Sequence, residues 1–224
     1  MPNKNTYEDL KKEFVQFSDD NAKKYLYQPT RPLLDITSES AQALIQEMTD
    51  KMPKYSIWLA ANQIAVSKQI FIMAYKPSKK LQDYQLNFKP VPFQVHINPK
   101  ITAVSKTRVA YWHGCLSAIN ELMGKVATYE WLEYESFNGD GQLMKGRMDG
   151  MGAIIFQHEF CHLIGGLYID CAKRRMDRNE LRKLFESRDE KPYQVVDDSV
   201  PLLLEGYGIG ETIDEYAFRV SNLR

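Results

Sequence analysis

The sequence predicts an α+β fold, with antiparallel and mixed sheets wrapped around one central buried helix and further helices at the periphery. Three observations predict it. Strand-like segments between residues 57 and 148 follow one another through turn signals, without the repeated strand–helix–strand units of a doubly wound sheet. Residues 149–164 read as a helix whose middle, Met151 to Phe156, is nearly all apolar, so it is enclosed rather than amphipathic. The chain has 224 residues, 44% hydrophobic and 26% charged, enough to bury a core without disulfide staples.

The elements follow in order. Residues 7–17 read as a short helix with Leu10, Phe14 and Val15 on one side. A stronger helix spans 38–52: Ala41, Leu44, Ile45, Met48 and Met52 recur at helical spacing, Thr37 or Ser38 caps it and Pro53 stops it. Ile57 to Ala61, Gln69 to Ala74 and Phe93 to Asn98 read as strands, the last ending at Pro99, and residues 76–92 with three prolines read as a loop insertion. Lys125 to Ser136 alternates, with Val126, Thr128, Glu130, Leu132 and Tyr134 on one face. The turn Asn138-Gly139-Asp140-Gly141 then returns it as a hairpin through Gln142 to Met148. Asp149 caps the buried helix and Gly165-Gly166 ends it. Leu167 to Asp170 reads as a short strand, and Asp177 with Glu180 opens a helix to about Ser187. Residues 1–188 are expected to form one domain, and 189–224 an extended segment packed on its surface.

Charge narrows the function. Lys plus Arg and Asp plus Glu both total 29, so there is no footprint for a polyanion or an acidic membrane surface. Three cysteines, an odd number, suit reduced thiols or a metal thiolate better than a disulfide framework. The polar N-terminus does not read as a secretory signal, and apolar stretches such as Ile70 to Tyr75 are too short to span a bilayer. A cytoplasmic protein is expected.

The chemistry concentrates in His158-Glu159-Phe160-Cys161-His162. Histidines at i and i+4 share a helix face and can grip one cation, while Glu159 beside them can take a proton from metal-bound water. Three polar side chains inside an apolar helix are costly unless something pairs them, and a cation would. A hydrolytic metal site needs a third ligand. No histidine follows His162; upstream stands His113-Gly114-Cys115-Leu116-Ser117.

Taken together, Leu59-Ala60-Ala61-Asn62-Gln63, then Gly114-Cys115-Leu116-Ser117, then Gln157-His158-Glu159-x-x-His162 resembles the three ordered motifs of peptide deformylase, over roughly residues 30–172. Asn98-Pro99 and Leu163-x-Gly165 are similar to the family too. The resemblance implies a peptide-deformylase-like fold and a divalent metal on Cys115, His158 and His162, ferrous iron in the cell and often zinc or nickel in preparations. It implies attack of metal-bound hydroxide on a formyl carbonyl, with Glu159 as general base and Gln63 and the Leu116 N–H stabilising the oxyanion. The substrates would be N-formylmethionyl nascent peptides, met at the ribosome exit, and the products formate and a free methionine amine. Ile57, Trp58, Leu59, Tyr111, Gly114, Met151, Ile154 and Ile155 are the implied substrate-binding positions.

This chain departs from the family's pattern in places. Ser56-Ile57-Trp58 stands where the family has Gly-x-Gly, so Trp58 either narrows the cleft or packs as a core aromatic. His113 replaces an acidic residue, Cys161 an aspartate, and Thr128, within a residue, an arginine; the simplest account is a retained metal site with altered electrostatics. His113, two residues before Cys115 on a strand, is also a candidate extra ligand. Cys161 reads as a small buried hydrophobe. Two other functions stay open: an amidase of this fold with a different acyl or peptide substrate, and a metal-stabilised peptide binder without turnover. A zinc endopeptidase would leave Cys115 and Gln63 unexplained.

Overall fold

The computed structural model describes residues 7–52, 58–77, 88–119 and 122–222. Two antiparallel sheets enclose one helix. The larger has the order β1-β2-β3-β6-β7, from Trp58–Ala60 (β1), Ile70–Tyr75 (β2), Val91–Val104 (β3), Trp131–Phe137 (β6) and Leu143–Asp149 (β7). The smaller has the order β8-β5-β4-β9, from Arg174–Met176 (β8), Met123–Tyr129 (β5), Arg108–His113 (β4) and Tyr193–Val196 (β9). The named strands pair antiparallel throughout; among the described residues, parallel pairing is confined to the isolated bridges Arg31–Lys68 and Ala127–Leu202.

Short helices Tyr7–Lys11 (α1) and Ala22–Tyr25 (α2) precede Glu39–Lys51 (α3). Ser38 caps α3 by accepting the Ala41 N–H. The helix expected over 7–17 stops at Lys11; Leu10 and Phe14 are still buried, and the chain beyond is held by bonds such as Val15 N–H to Gln63 O, 2.8 Å. The central helix Gly150–Leu163 (α4) has Asp149 at its N-cap, but that side chain makes no capping bond. Every α4 residue from Met151 to Leu163 is buried, as its apolar middle requires. It packs on β1, β2 and β5, between the two sheets. A second core lies on the opposite face of the larger sheet, where Leu59, Ile70, Ile72 and Ile97 meet Leu10, Phe14, Ala41 and Met48.

Four further expected elements differ. The strand expected to end at Pro99 continues to Val104, because Asn98 takes a left-handed φ of 48° and its side chain bonds both the N–H and the carbonyl of Leu33, making a bulge that tolerates proline. The single strand expected over 125–136 is two strands in different sheets. Ser105 Oγ accepts the Glu130 N–H at 2.8 Å and turns the chain there. Leu167 to Asp170 is not a strand: Tyr168–Cys171 is a turn of helix (α5), and the Asp170 carboxylate accepts the Leu167 N–H. Val91 and Pro92, expected in a loop, begin β3; residues 78–87 of that loop lie outside the described residues. The helix expected from Asp177 is Arg178–Ser187 (α6), with Asp177 capping Asn179 and Glu180.

Residues 189–222 are more than an extended segment. β9 pairs with β4, Leu203 N–H bonds Ala127 O at 2.8 Å, and Ile213–Ser221 forms a further helix (α7) behind a Thr212–Glu215 capping box. Leu202, Leu203, Leu204, Tyr207 and Ile213 are buried, and the Tyr207 ring meets Phe160 of α4 edge-on at 4.9 Å. Glu190 fastens this segment. Its carboxylate takes Lys125 Nζ at 2.7 Å and Arg174 Nη1 at 2.5 Å, and both cations lie over the Trp112 ring. Glu190→Ala strands the buried Lys125 ammonium, while half-exposed Arg174 can turn to water. Urea unfolding should show a loss of about 3 kcal/mol; a loss below about 1 kcal/mol would show that Lys125 finds other solvation.

Candidate metal centre

The end of β4 and two successive turns of α4 converge. Cys115 follows β4 and opens a 3-10 turn, Leu116–Ala118, while His158 and His162 share the α4 face turned toward it. The ligand atoms of Cys115, His158 and His162 lie within 4.8 Å of one another, and Cys115 Sγ is 3.2 Å from His162 Nε2. Among the described residues this is the group of histidine, cysteine and acid side chains able to hold a metal ion.

The polar atoms there fit a cation. His158 Nε2 and both oxygens of Glu159 are buried without a hydrogen-bond partner, an arrangement that protein interiors avoid unless another species completes it. Burial pushes the Glu159 carboxyl well above the usual range and the Cys115 thiol up to about 12, the latter partly offset by the Ser117 and Leu116 amides that face the sulfur. Burial lowers His158 to about 4 and holds His162 well below the usual imidazole range, the second helped by neighbouring His158. Both rings are therefore neutral near pH 7, the form that ligates a metal. One soft thiolate and two imidazoles form a donor set for iron, zinc or nickel.

Gln63 is oriented toward this cluster. Its Oε1 accepts the Ala60 N–H at 2.9 Å, which turns its Nε2 to Cys115 Sγ and Ser117 Oγ, both at 3.3 Å. The Leu116 amide faces the Cys115 sulfur, while the Leu116 side chain packs in the second core. His113 lies outside the ligand cluster: its Nδ1 is 3.0 Å from His158 Nδ1.

The pocket positions divide. Met151, Ile154 and Ile155 are buried in the core around α4, and half-buried Trp58 and Tyr111 pack against it. Trp58 thus sits on the α4 side of β1. Leu59, the next residue along the strand, does not bring its side chain to the site: alternation sends it into the second core. Gly114 is half-buried, and a Cβ there would come within 3.0 Å of Met123 Sδ. Ile57 lies outside the described residues. Thr128 is buried with its hydroxyl unpartnered, and Cys161 is buried with its thiol 3.7 Å from Leu203 O, in keeping with a small buried hydrophobe.

Sequence reasoning missed three contributors. Asn62 Nδ2 donates to His162 O at 2.7 Å and to Tyr25 O at 3.1 Å, tying the Gln63 turn to the end of α4. Ser117 donates its N–H to Cys115 Sγ at 3.3 Å; it stands inside a quoted motif, which was the available signal. Tyr193 pairs with Tyr111 across β9 and β4 and meets Phe88 edge-on, adding aromatics to the core around α4 that no periodicity announces.

The family model described as polypeptide deformylase matches residues 11–178. A peptide deformylase of Nitrosomonas europaea is 34% identical over 174 residues, covering 77% of this chain and 93% of the relative. One of Aquifex aeolicus is 30% identical, covering 73% and 92%. Among solved structures, a class I type b peptide deformylase from Acinetobacter baumannii, bound to Met-Ala-Ser, superposes with a TM-score of 0.61 at 25% identity over 70% of this chain and 95% of its own.

Proposed function

This chain belongs to the polypeptide deformylase family, and we propose that its Cys115–His158–His162 cluster, with Glu159, is the centre at which it removes the formyl group from N-formylmethionyl peptides. It is an enzyme of metal-dependent amide hydrolysis. The observation that carries the assignment of residues is the meeting of one sulfur and two imidazoles beside a buried carboxylate that has no partner of its own.

A divalent cation held there by Cys115, His158 and His162 supplies Lewis acidity toward water and the formyl oxygen. Glu159 takes the proton that water must lose and returns it to the leaving nitrogen, so the formyl C–N bond breaks to formate and a free amine. Gln63 Nε2 and the Leu116 N–H donate to the oxyanion, and they are pre-aimed: Gln63 Oε1 is already engaged by the Ala60 N–H. Trp58, Tyr111, Met151, Ile154 and Ile155, with Ile57, Gly114 and the Leu59 backbone, seat the methionine side chain and peptide. We take ferrous iron as the metal in the cell, with zinc or nickel replacing it in preparations. We place the enzyme in the cytoplasm, acting on nascent chains near the ribosome exit, with no nucleic-acid or membrane site of its own.

A second reading, a different acyl or peptide preference, is favoured by Trp58, whose bulk packs on the α4 side of β1. Formate release from formyl-Met-Ala-Ser, compared with acetyl-Met-Ala-Ser, separates the two. Turnover confined to the formyl peptide is the expected result with anaerobically iron-loaded protein. Cleavage of the acetyl peptide alone supports the second reading, and a metal-loaded protein inert on both contradicts the formylmethionyl reading.

A further inference from the structure

The metal ligands account for two of the three buried polar rings at this site, and His113 is the third. Its ring and that of His158 lie nearly parallel, 9° apart with centroids at 5.2 Å, and their Nδ1 atoms are 3.0 Å apart. Tyr168 packs on both rings, at 6.3 and 6.1 Å, and Tyr111 meets His113 edge-on at 5.8 Å. Neither ring is free to turn away from the other.

We propose that His113 is a positioning residue whose Nδ1 accepts the Nδ1–H of His158 and so fixes the tautomer that leaves His158 Nε2 bare for the cation. The proposal rests on the metal centre argued above. Two nitrogens in contact can share only one proton, so the pair has two arrangements. With the proton on His158 Nδ1, its Nε2 presents a lone pair to the ligand cluster, where it has no other partner. With the proton on His113 Nδ1, His158 must carry its own on Nε2, and the site cannot close around a metal. The first arrangement places a proton on His113 Nε2, which is likewise buried and unpartnered. An imidazole acceptor does this without adding charge, leaving the Cys115 thiolate and Glu159 as the anions facing the cation. It also explains why His113 lies so near the site yet outside the ligand cluster.

The test uses full-length, zinc-loaded protein. Nitrogen-15 NMR of the histidine rings should place the proton of His158 on Nδ1 and that of His113 on Nε2; a proton on His113 Nδ1 overturns the proposal. His113→Phe keeps a ring beside His158 and Tyr168 but removes the acceptor, and should weaken zinc binding in chelator competition by roughly 10- to 100-fold. His113→Asn places an acceptor oxygen where Nδ1 stands and should restore most of the affinity. Equal affinity in wild type and His113→Phe overturns the positioning role alone, whereas a wild type that takes up no zinc overturns the metal centre on which it rests.

Discussion

Glu159→Gln slows formate release by roughly 100- to 10,000-fold, the range a positioned general acid–base contributes, while the protein keeps its metal. The carboxylate is fully buried and neither oxygen has a partner. It therefore stabilises nothing that glutamine, nearly the same in shape, would lose. Glutamine cannot take the proton. The prediction reads three quantities on the same sample: formate release, bound metal and the urea midpoint. Only the first should fall. Parallel loss of metal would make Glu159 a ligand, and unchanged turnover would remove it from the mechanism.

Cys115→Ser strips the site of metal while leaving the fold standing. The serine hydroxyl can keep the bonds from Gln63 Nε2 and the Ser117 N–H, but it does not ionise near neutrality, and the donor set loses its anion. The loss should exceed the roughly 10- to 100-fold that outer-shell changes cost. The pH dependence checks the cause. Without metal, burial holds the thiol up at about 12 and His158 down at about 4. Across neutral pH a cation then displaces a thiol proton and no imidazole proton, so apparent affinity should rise with pH, by about tenfold per unit from the thiol alone. Cys115→Ser should remove that dependence. A wild-type affinity that does not change with pH would mean that the thiol is not the ligand displaced.

Much of this was legible in the chain because period and spacing carry it. The α3 face and the apolar α4 with its two histidines one turn apart are patterns of side-chain direction, and direction survives into three dimensions. The corner at Glu130 was not legible: Val126, Thr128, Leu132 and Tyr134 alternate in phase on both sides of it, and all four are buried. Only Ser105, some 25 residues earlier, marks where the chain changes sheets. Tyr168 and Ile169 suit a strand by composition, yet the Asp170 cap selects a helical turn. Leu202 to Leu204 and Tyr207 dock on α4 and β5 by shape, which has no period. At the site, the ordered motifs pointed to Cys115, His158 and His162, and the fold brings the three together. The outward turn of the Leu59 side chain and the contact of His113 with the far nitrogen of His158 required coordinates.

The central claim is that one cation is held jointly by the sulfur of Cys115 and the rings of His158 and His162. X-ray absorption at the metal edge of the zinc- or nickel-loaded protein tests it most directly. The account predicts one sulfur and two imidazole scatterers in the wild type, with the sulfur gone in Cys115→Ser. A wild-type spectrum of nitrogen and oxygen scatterers alone, unchanged in that variant, would contradict it.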